Sequence, residues 1–295
     1  MEYHKGDAFL LSRLFTAAVF RDFGRYGRSP LFTRLVQQSQ IGLLVPKESS
    51  VGAVFDAAYH VLKQTGMRDE YVYRNALTEK ILLGRHSLNT ATMLREVRTG
   101  ASKADVVVLN GTSTAYEIKS ERDSLARLDN QLNSYRNVFA AVNVVASPLH
   151  VRDVLAKVPD DVGVISLSTR FTLQTEREAQ NRPDRTSPLL VLELLRVDEA
   201  LAILKALDIN APEVPNTQIR SELGRIFAAL DPEVAHGQMV RTLKESRSQA
   251  ALAGFVGSMP SSLRAAFLGM KSDAKSRIRV KEAVETPLAE ALAWK

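Results

Sequence analysis

The chain has 295 residues, 45% hydrophobic and 24% charged, a composition that suits two or three compact soluble units. It contains no cysteine, which excludes disulfides, zinc–thiolate sites, iron–sulfur clusters and cysteine nucleophiles. The net charge of +6 is spread along the chain rather than gathered in a tail, so it permits nucleic-acid binding without establishing it.

Residues 1–70 read as an N-terminal helical region. Leu11, Leu14, Phe15, Ala18 and Val19 recur at helical spacing, which makes the apolar run AFLLSRLFTAAVF an amphipathic helix. Arg13 interrupts that run and no small-residue cleavage site follows, so it does not read as a signal peptide. Gly24, Gly27 and Ser29-Pro30 break the helix; Leu31 opens a second and Val51–Gln64 forms a third. The stretch FRDFGRYGRSPLFTR mixes arginines with aromatics, a combination that grips single strands. The favoured reading is plainer: aromatics packed into the core, with solvated arginines. No apolar run is long enough to cross a bilayer, so no membrane partner is expected and the expected compartment is the cytoplasm.

Residues 71–172 are expected to form an α/β core. Asn75–Gly84 reads as a helix and Thr92–Thr99 as a strand. Val106–Leu109 and Thr114–Ile118 read as two more strands joined by a turn at Asn110-Gly111. Arg122–Phe139 carries the apolar stripe Leu125, Leu128, Leu132, Tyr135 and Phe139 of an amphipathic helix. Ala141–Ser147 reads as a buried strand, Val151–Val158 as a short helix and Val162–Leu167 as a last strand. This order predicts a mixed sheet with helices on its faces. Residues 173–187 are polar and read as a linker. Residues 188–295 read as a C-terminal helical region with a basic stretch at Lys271, Lys275, Arg277, Arg279 and Lys281.

The chemistry concentrates on the predicted hairpin. Asp105 opens its first strand, and the second ends in Glu117-Ile118-Lys119. Residues two apart on a strand share a face, so Glu117 and Lys119 project together. Charges among apolar strands need a reason, and Glu79 on the preceding helix offers a third carboxylate. By itself a Glu-x-Lys is usually an exposed ion pair on a surface strand.

The order of Glu79 in NALTEKIL, Asp105 in KADVVVL, and Glu117 and Lys119 in AYEIKS resembles the PD-(D/E)XK nuclease superfamily. Gln131 and Tyr135, one helical turn apart, look like the Gln-x-x-x-Tyr element of its RecB-like branch. The residue before Asp105 is Ala104 where that family often has proline, and the cysteine cluster of some RecB-like members is absent. The resemblance implies a restriction-endonuclease-like mixed sheet of order αβββαβ, flanked by helical regions. It implies a nuclease dependent on Mg²⁺ or Mn²⁺, with DNA favoured over RNA, in a bacterial defence, mobile-element or toxin setting. Asp105, Glu117 and the Ile118 carbonyl would hold the metal, with Glu79 as a direct or water-bridged ligand. Lys119 would orient the attacking water and offset phosphate charge. Gln131 and Tyr135 would help position the strand, although Tyr135 also sits on the apolar stripe. Arg98 and Arg122 would contact phosphates, against the plainer reading of solvated surface charges. The alternative is a catalytically inactive protein that binds nucleic acid or docks a partner, its helical flanks serving a protein partner or a second copy of the chain.

Overall fold

The computed structural model describes residues 3–270 and 272–295, so Lys271 of the basic stretch lies outside the described residues. The chain divides into two compact units. One comprises Met1–Gly84, Thr169–Phe171 and Leu252–Lys295; the other comprises Arg85–Ser168 and Thr172–Ala251. These boundaries differ from those expected at 70, 172 and 187. Among the described residues no helix is long and apolar enough to cross a membrane.

The first unit is helical. Its N-terminal part holds α1 (Lys5–Ser12), α2 (Ala17–Tyr26), α3 (Pro30–Ser39), α4 (Val51–Leu62) and α5 (Glu70–Leu77). The single amphipathic helix expected at the start is split at Thr16, whose backbone is extended and whose hydroxyl donates to the Arg13 carbonyl. α2 runs through Gly24 and ends at Gly27, which takes the left-handed conformation (φ +68°) and donates its N–H to the Phe23 carbonyl. Ser29 then caps α3 by accepting from the Phe32 N–H, with Pro30 in the first helical position.

The arginine–aromatic stretch follows its plainer reading at its three phenylalanines, while Tyr26 is exposed with Arg25 over its ring. Phe20, Phe23, Phe32 and Phe55 are buried and touch one another edge-on, stacked or tilted, with centroids 5.3–6.3 Å apart. α5 runs on into a single π turn, Thr78–Leu82, in place of the regular helix expected to Gly84. Gly84 closes that turn tightly: a Cβ there would stand 2.8 Å from the Lys80 carbonyl oxygen.

The second unit is built on a six-stranded sheet in sequence order: β1 (Thr92–Thr99), β2 (Ser102–Leu109), β3 (Ser113–Lys119), β4 (Ala141–Ala146), β5 (Gly163–Leu167) and β6 (Leu173–Arg177). β1, β2 and β3 pair antiparallel, β3, β4 and β5 pair parallel, and β6 returns antiparallel. The mixed α/β architecture is therefore as expected. The predicted linker is not: its first five residues form the edge strand β6. LQTER carries one apolar residue and stays largely exposed, so it has no strand periodicity to read. Its pairing comes from β5 beside it, and charged residues suit an unpaired edge.

Around the sheet lie α6 (Leu128–Arg136), α7 (Val151–Lys157), α8 (Pro188–Leu194), α9 (Val197–Ala206), α10 (Asn216–Ala228) and α11 (Pro232–Ser246). Here α6 is shorter than expected. The segment before it is a turn in which the Ser120 amide and hydroxyl both donate to Asp123. Val191, Ile203, Phe227 and Met239 of α8–α11 share one apolar core with Val107, Val144 and Val164 of the sheet. Residues 188–251 thus complete the sheet unit, and only the remainder of the predicted C-terminal region joins the helical one.

Candidate active site

The β2–β3 hairpin turns at Gly111, whose φ of +110° favours glycine. The register sets Val106 opposite Tyr116; continued by one residue it sets Asp105 opposite Glu117. Pairing stops there. The Ile118 N–H donates instead to the Asp105 carboxylate at 2.7 Å. Glu117 and Lys119 share the face of Ala115, the face that packs on Leu128, Leu132 and Tyr135 of α6. The Ile118 side chain points to the opposite face and is also buried.

Four of the predicted residues meet in one network. Lys119 Nζ donates to Glu117 Oε1 at 2.8 Å and to Gln131 Oε1 at 3.0 Å. Gln131 Nε2 donates to Glu117 Oε1 at 2.6 Å. The Tyr135 hydroxyl lies 2.8 Å from Glu117 Oε2 and 2.7 Å from the Lys103 carbonyl oxygen, and shares its proton between them. Positions 131 and 135 face the same way on α6, and the buried Leu128 and Leu132 hold the helix down. Glu117 is 2% exposed and Lys119 6%. Burial, and then the neighbouring Glu117 carboxylate, push the Tyr135 phenol far up, so it stays a hydrogen-bond donor at neutral pH. Removing one partner of such a buried ion pair typically costs about 3–5 kcal/mol.

The other predicted residues make no bond of this network. Glu79 lies in the helical unit, on the π turn, where Arg264 Nη1 is 3.0 Å from its Oε2. Its Oε1 is buried without a hydrogen bond, and burial raises its carboxyl against the opposing pull of Arg264. Arg98 is exposed on β1, and Arg122 is exposed in the turn after β3.

Sequence reasoning missed Glu96. The β1–β2 register, Arg95 opposite Val106 and Val97 opposite Ala104, leaves Glu96 across from Asp105. Glu96 adopts a left-handed backbone (φ +51°), and its exposed carboxylate is met by Lys103 Nζ at 3.1 Å. Nothing in REVR signals that kink. Glu96, Asp105 and Glu117 thus stand at one level across three strands. Even so, no group of three or more His, Asp or Glu among the described residues is placed to hold one metal ion. The donors that do converge near the hairpin, the Asp105 and Glu117 carboxylates, are hard oxygens, the kind that Mg²⁺ and Mn²⁺ take.

The fold and this network define an α/β protein with a buried Glu–Lys pair on a sheet hairpin, fastened by a Gln and a Tyr from the following helix. A family model described as bacteriophage P4 protein cII matches residues 63–260, and the chain belongs to that family. Protein cII of Enterobacteria phage P4 is 38% identical over 84 residues, which are 28% of this chain and 32% of that protein. The chain therefore spans about a third of the length of this curated relative. A solved protein of unknown function from Silicibacter pomeroyi aligns over 49% of this chain and 92% of its own length, at 17% identity and a TM-score of 0.32; likeness at that level carries no argument.

Proposed function

We propose that the protein is a metal-dependent nuclease that hydrolyses phosphodiester bonds, with DNA as the favoured substrate. The observation that carries the reading is the buried Glu117–Lys119 pair with Asp105 across the hairpin. A buried ion pair seldom adds stability over well-packed apolar residues. Its presence where the hairpin opens therefore supports a chemical role.

Asp105, Glu117 and the Ile118 carbonyl would hold Mg²⁺ or Mn²⁺; Glu79, in the helical unit and paired with Arg264, is left out of the set. When bound, the ion would offset charge on the attacked phosphate. Lys119 orients the attacking water and balances negative charge beside it. Water adds to phosphorus, the P–O ester bond breaks, and the departing oxygen takes a proton. Gln131 and Tyr135 act through Glu117, fixing both its oxygens, and so are positioning residues; contact with the strand itself falls to groups such as Arg98 and Arg122. Among the defence, mobile-element and toxin settings, a phage relative favours the mobile element.

A second reading has its own support. Both Glu117 oxygens already accept protein hydrogen bonds, which suits a protein that binds nucleic acid or a partner without cutting.

Cleavage of linear, circular and single-stranded DNA and of RNA, with Mn²⁺, separates the two. Asp105→Ala and Lys119→Ala are each expected to lower the rate by ~10³-fold or more, measured per folded protein because Lys119→Ala strips the buried Glu117 of its partner. Full activity in either variant, or none from well-folded wild type, would end the nuclease reading.

A further inference from the structure

In the helical unit, three cations surround one aromatic ring. Phe171, at the tip of the turn between β5 and β6, has a left-handed backbone (φ +60°), an uncommon state for an aromatic residue. The flanking residues hold the turn: Ser168 donates its N–H to the Thr172 carbonyl, and the Ser168 hydroxyl accepts the Thr172 N–H. Arg68, 1% exposed, ties down the tip through Nη2 to the Thr169 carbonyl at 3.0 Å. The Phe171 ring centre lies 5.3 Å from Lys63 Nζ, 5.5 Å from Lys80 Nζ and 5.7 Å from Arg68 Cζ. Tyr59 meets the ring edge-on, and Lys63 also lies over Tyr59.

Among the described residues Lys63, Lys80 and Arg170 make no ion pair within 4 Å, although Glu79 attracts Lys80 at longer range. The acidic residues of the same stretch have their closest partners elsewhere, though Glu79 also acts on Lys80 and, with Asp69, on Tyr59. Asp69 caps α5 through the Val72 N–H, Glu70 pairs with Arg74 and Glu79 with Arg264. Arg170, beside Phe171, is exposed and adds a further positive charge.

We infer that Lys63, Lys80 and Arg170, gathered around Phe171, form a phosphate-contacting surface for a polynucleotide strand. These residues belong to the helical unit and the hairpin network to the sheet unit. The choice of a polynucleotide over another polyanion rests on the nuclease reading. The demand for phosphate-like anions rests on the geometry alone.

The test uses the full chain, a short fluorescein-labelled oligonucleotide, single-stranded or duplex, and EDTA in place of divalent metal, with affinity followed across salt concentration. Lys63→Gln/Lys80→Gln is expected to weaken duplex binding about tenfold near 0.15 M salt and to flatten the log K against log salt slope by close to two. Arg170→Gln alone should flatten it by about one, and Lys63→Arg/Lys80→Arg should keep both affinity and slope. Thermal melts matching wild type show that the variants are folded. Unchanged affinity and slope in both neutralised variants would overturn the inference. So would a wild type that does not bind the oligonucleotide, or a loss confined to vesicles of anionic lipid. Without metal no strand is cut, so a protein that binds in this way but fails to cleave with Mn²⁺ loses the nuclease reading and keeps this one.

Discussion

Glu117 and Glu199 are both 2% exposed, both in the sheet unit, and both met by a basic side chain. Their surroundings differ. Glu199 sits in the first turn of α9, where it accepts the Arg196 N–H at 2.8 Å, and Arg247 at the end of α11 grips both its oxygens, at 2.9 and 2.7 Å. Ser246 adds a fourth bond. Although burial opposes it, this partnering holds the Glu199 carboxyl down at about 2. Every bond to Glu199 caps a helix or ties one helix to another, so its burial has a structural explanation. Glu117 caps nothing. It lies mid-sheet, beside a lysine two residues on and across from Asp105, and its other partners come from a single helix face. A buried, well-partnered carboxylate is thus no sign of a site. The informative difference is that Glu117, besides fastening α6 to the sheet, has a lysine on its own strand and Asp105 across the hairpin, whereas every partner of Glu199 only caps or joins helices.

That contrast can be broken experimentally. The largest expected effect is at the hairpin, where Asp105→Ala should cost activity and little stability, because Asp105 is only half-buried. Glu199→Ala should do the reverse: a loss of about 3–5 kcal/mol in urea melts, since Arg247 is left without its partner, and an unchanged rate for the protein that remains folded. If Glu199→Ala removed activity from folded protein, or Asp105→Ala unfolded the chain, the comparison would collapse.

Acid should separate the two ends of α11 from each other. His236 is 3% exposed, lies 2.8 Å from the Ser113 hydroxyl through Nε2, and is pulled by burial down to about 4. The unfolded chain takes up this proton near 6.5, so stability falls as pH drops from about 6.5 to 4, by up to about 3 kcal/mol. Glu199 acts in a lower window: its contribution is complete above about 4.5 and is lost as pH falls towards 2. Urea midpoints should show two steps. His236→Gln removes the first and Glu199→Gln the second.

A smaller effect sharpens the role of Tyr135. Tyr135→Phe keeps the buried ring and deletes the hydroxyl that meets Glu117, which should cost about 1–2 kcal/mol in stability. Under the proposed function it should also lower the rate without changing oligonucleotide affinity. A matched loss of affinity would move Tyr135 from holding Glu117 to touching the strand. Arg98→Gln and Arg122→Gln, on exposed positions, should each change stability by no more than about 0.5 kcal/mol.

The hairpin was legible because its cues are local. Asn110-Gly111 marks the turn, the Val106–Leu109 run marks a buried strand, and a period of two sets Glu117 and Lys119 on one face. Gln131 and Tyr135 were legible as a pair through helical period. That both hydrogen-bond Glu117 was not legible, because it depends on how α6 lies across the sheet. Likewise, β6 is strand only because β5 offers an edge, and the kink at Glu96 leaves no mark in residue type.

By itself, the sequence determined the α/β class, the strands β1 to β5 and the hairpin that carries Asp105, Glu117 and Lys119, because alternation, turn residues and apolar runs act over a few residues. Only the tertiary structure decided which helices belong with which core, that Glu79 stands in the helical unit, and that Phe171 gathers Lys63, Lys80 and Arg68. Apolar attraction has no direction, so an amphipathic helix specifies that it must be covered and leaves the partner to the packing of the whole chain.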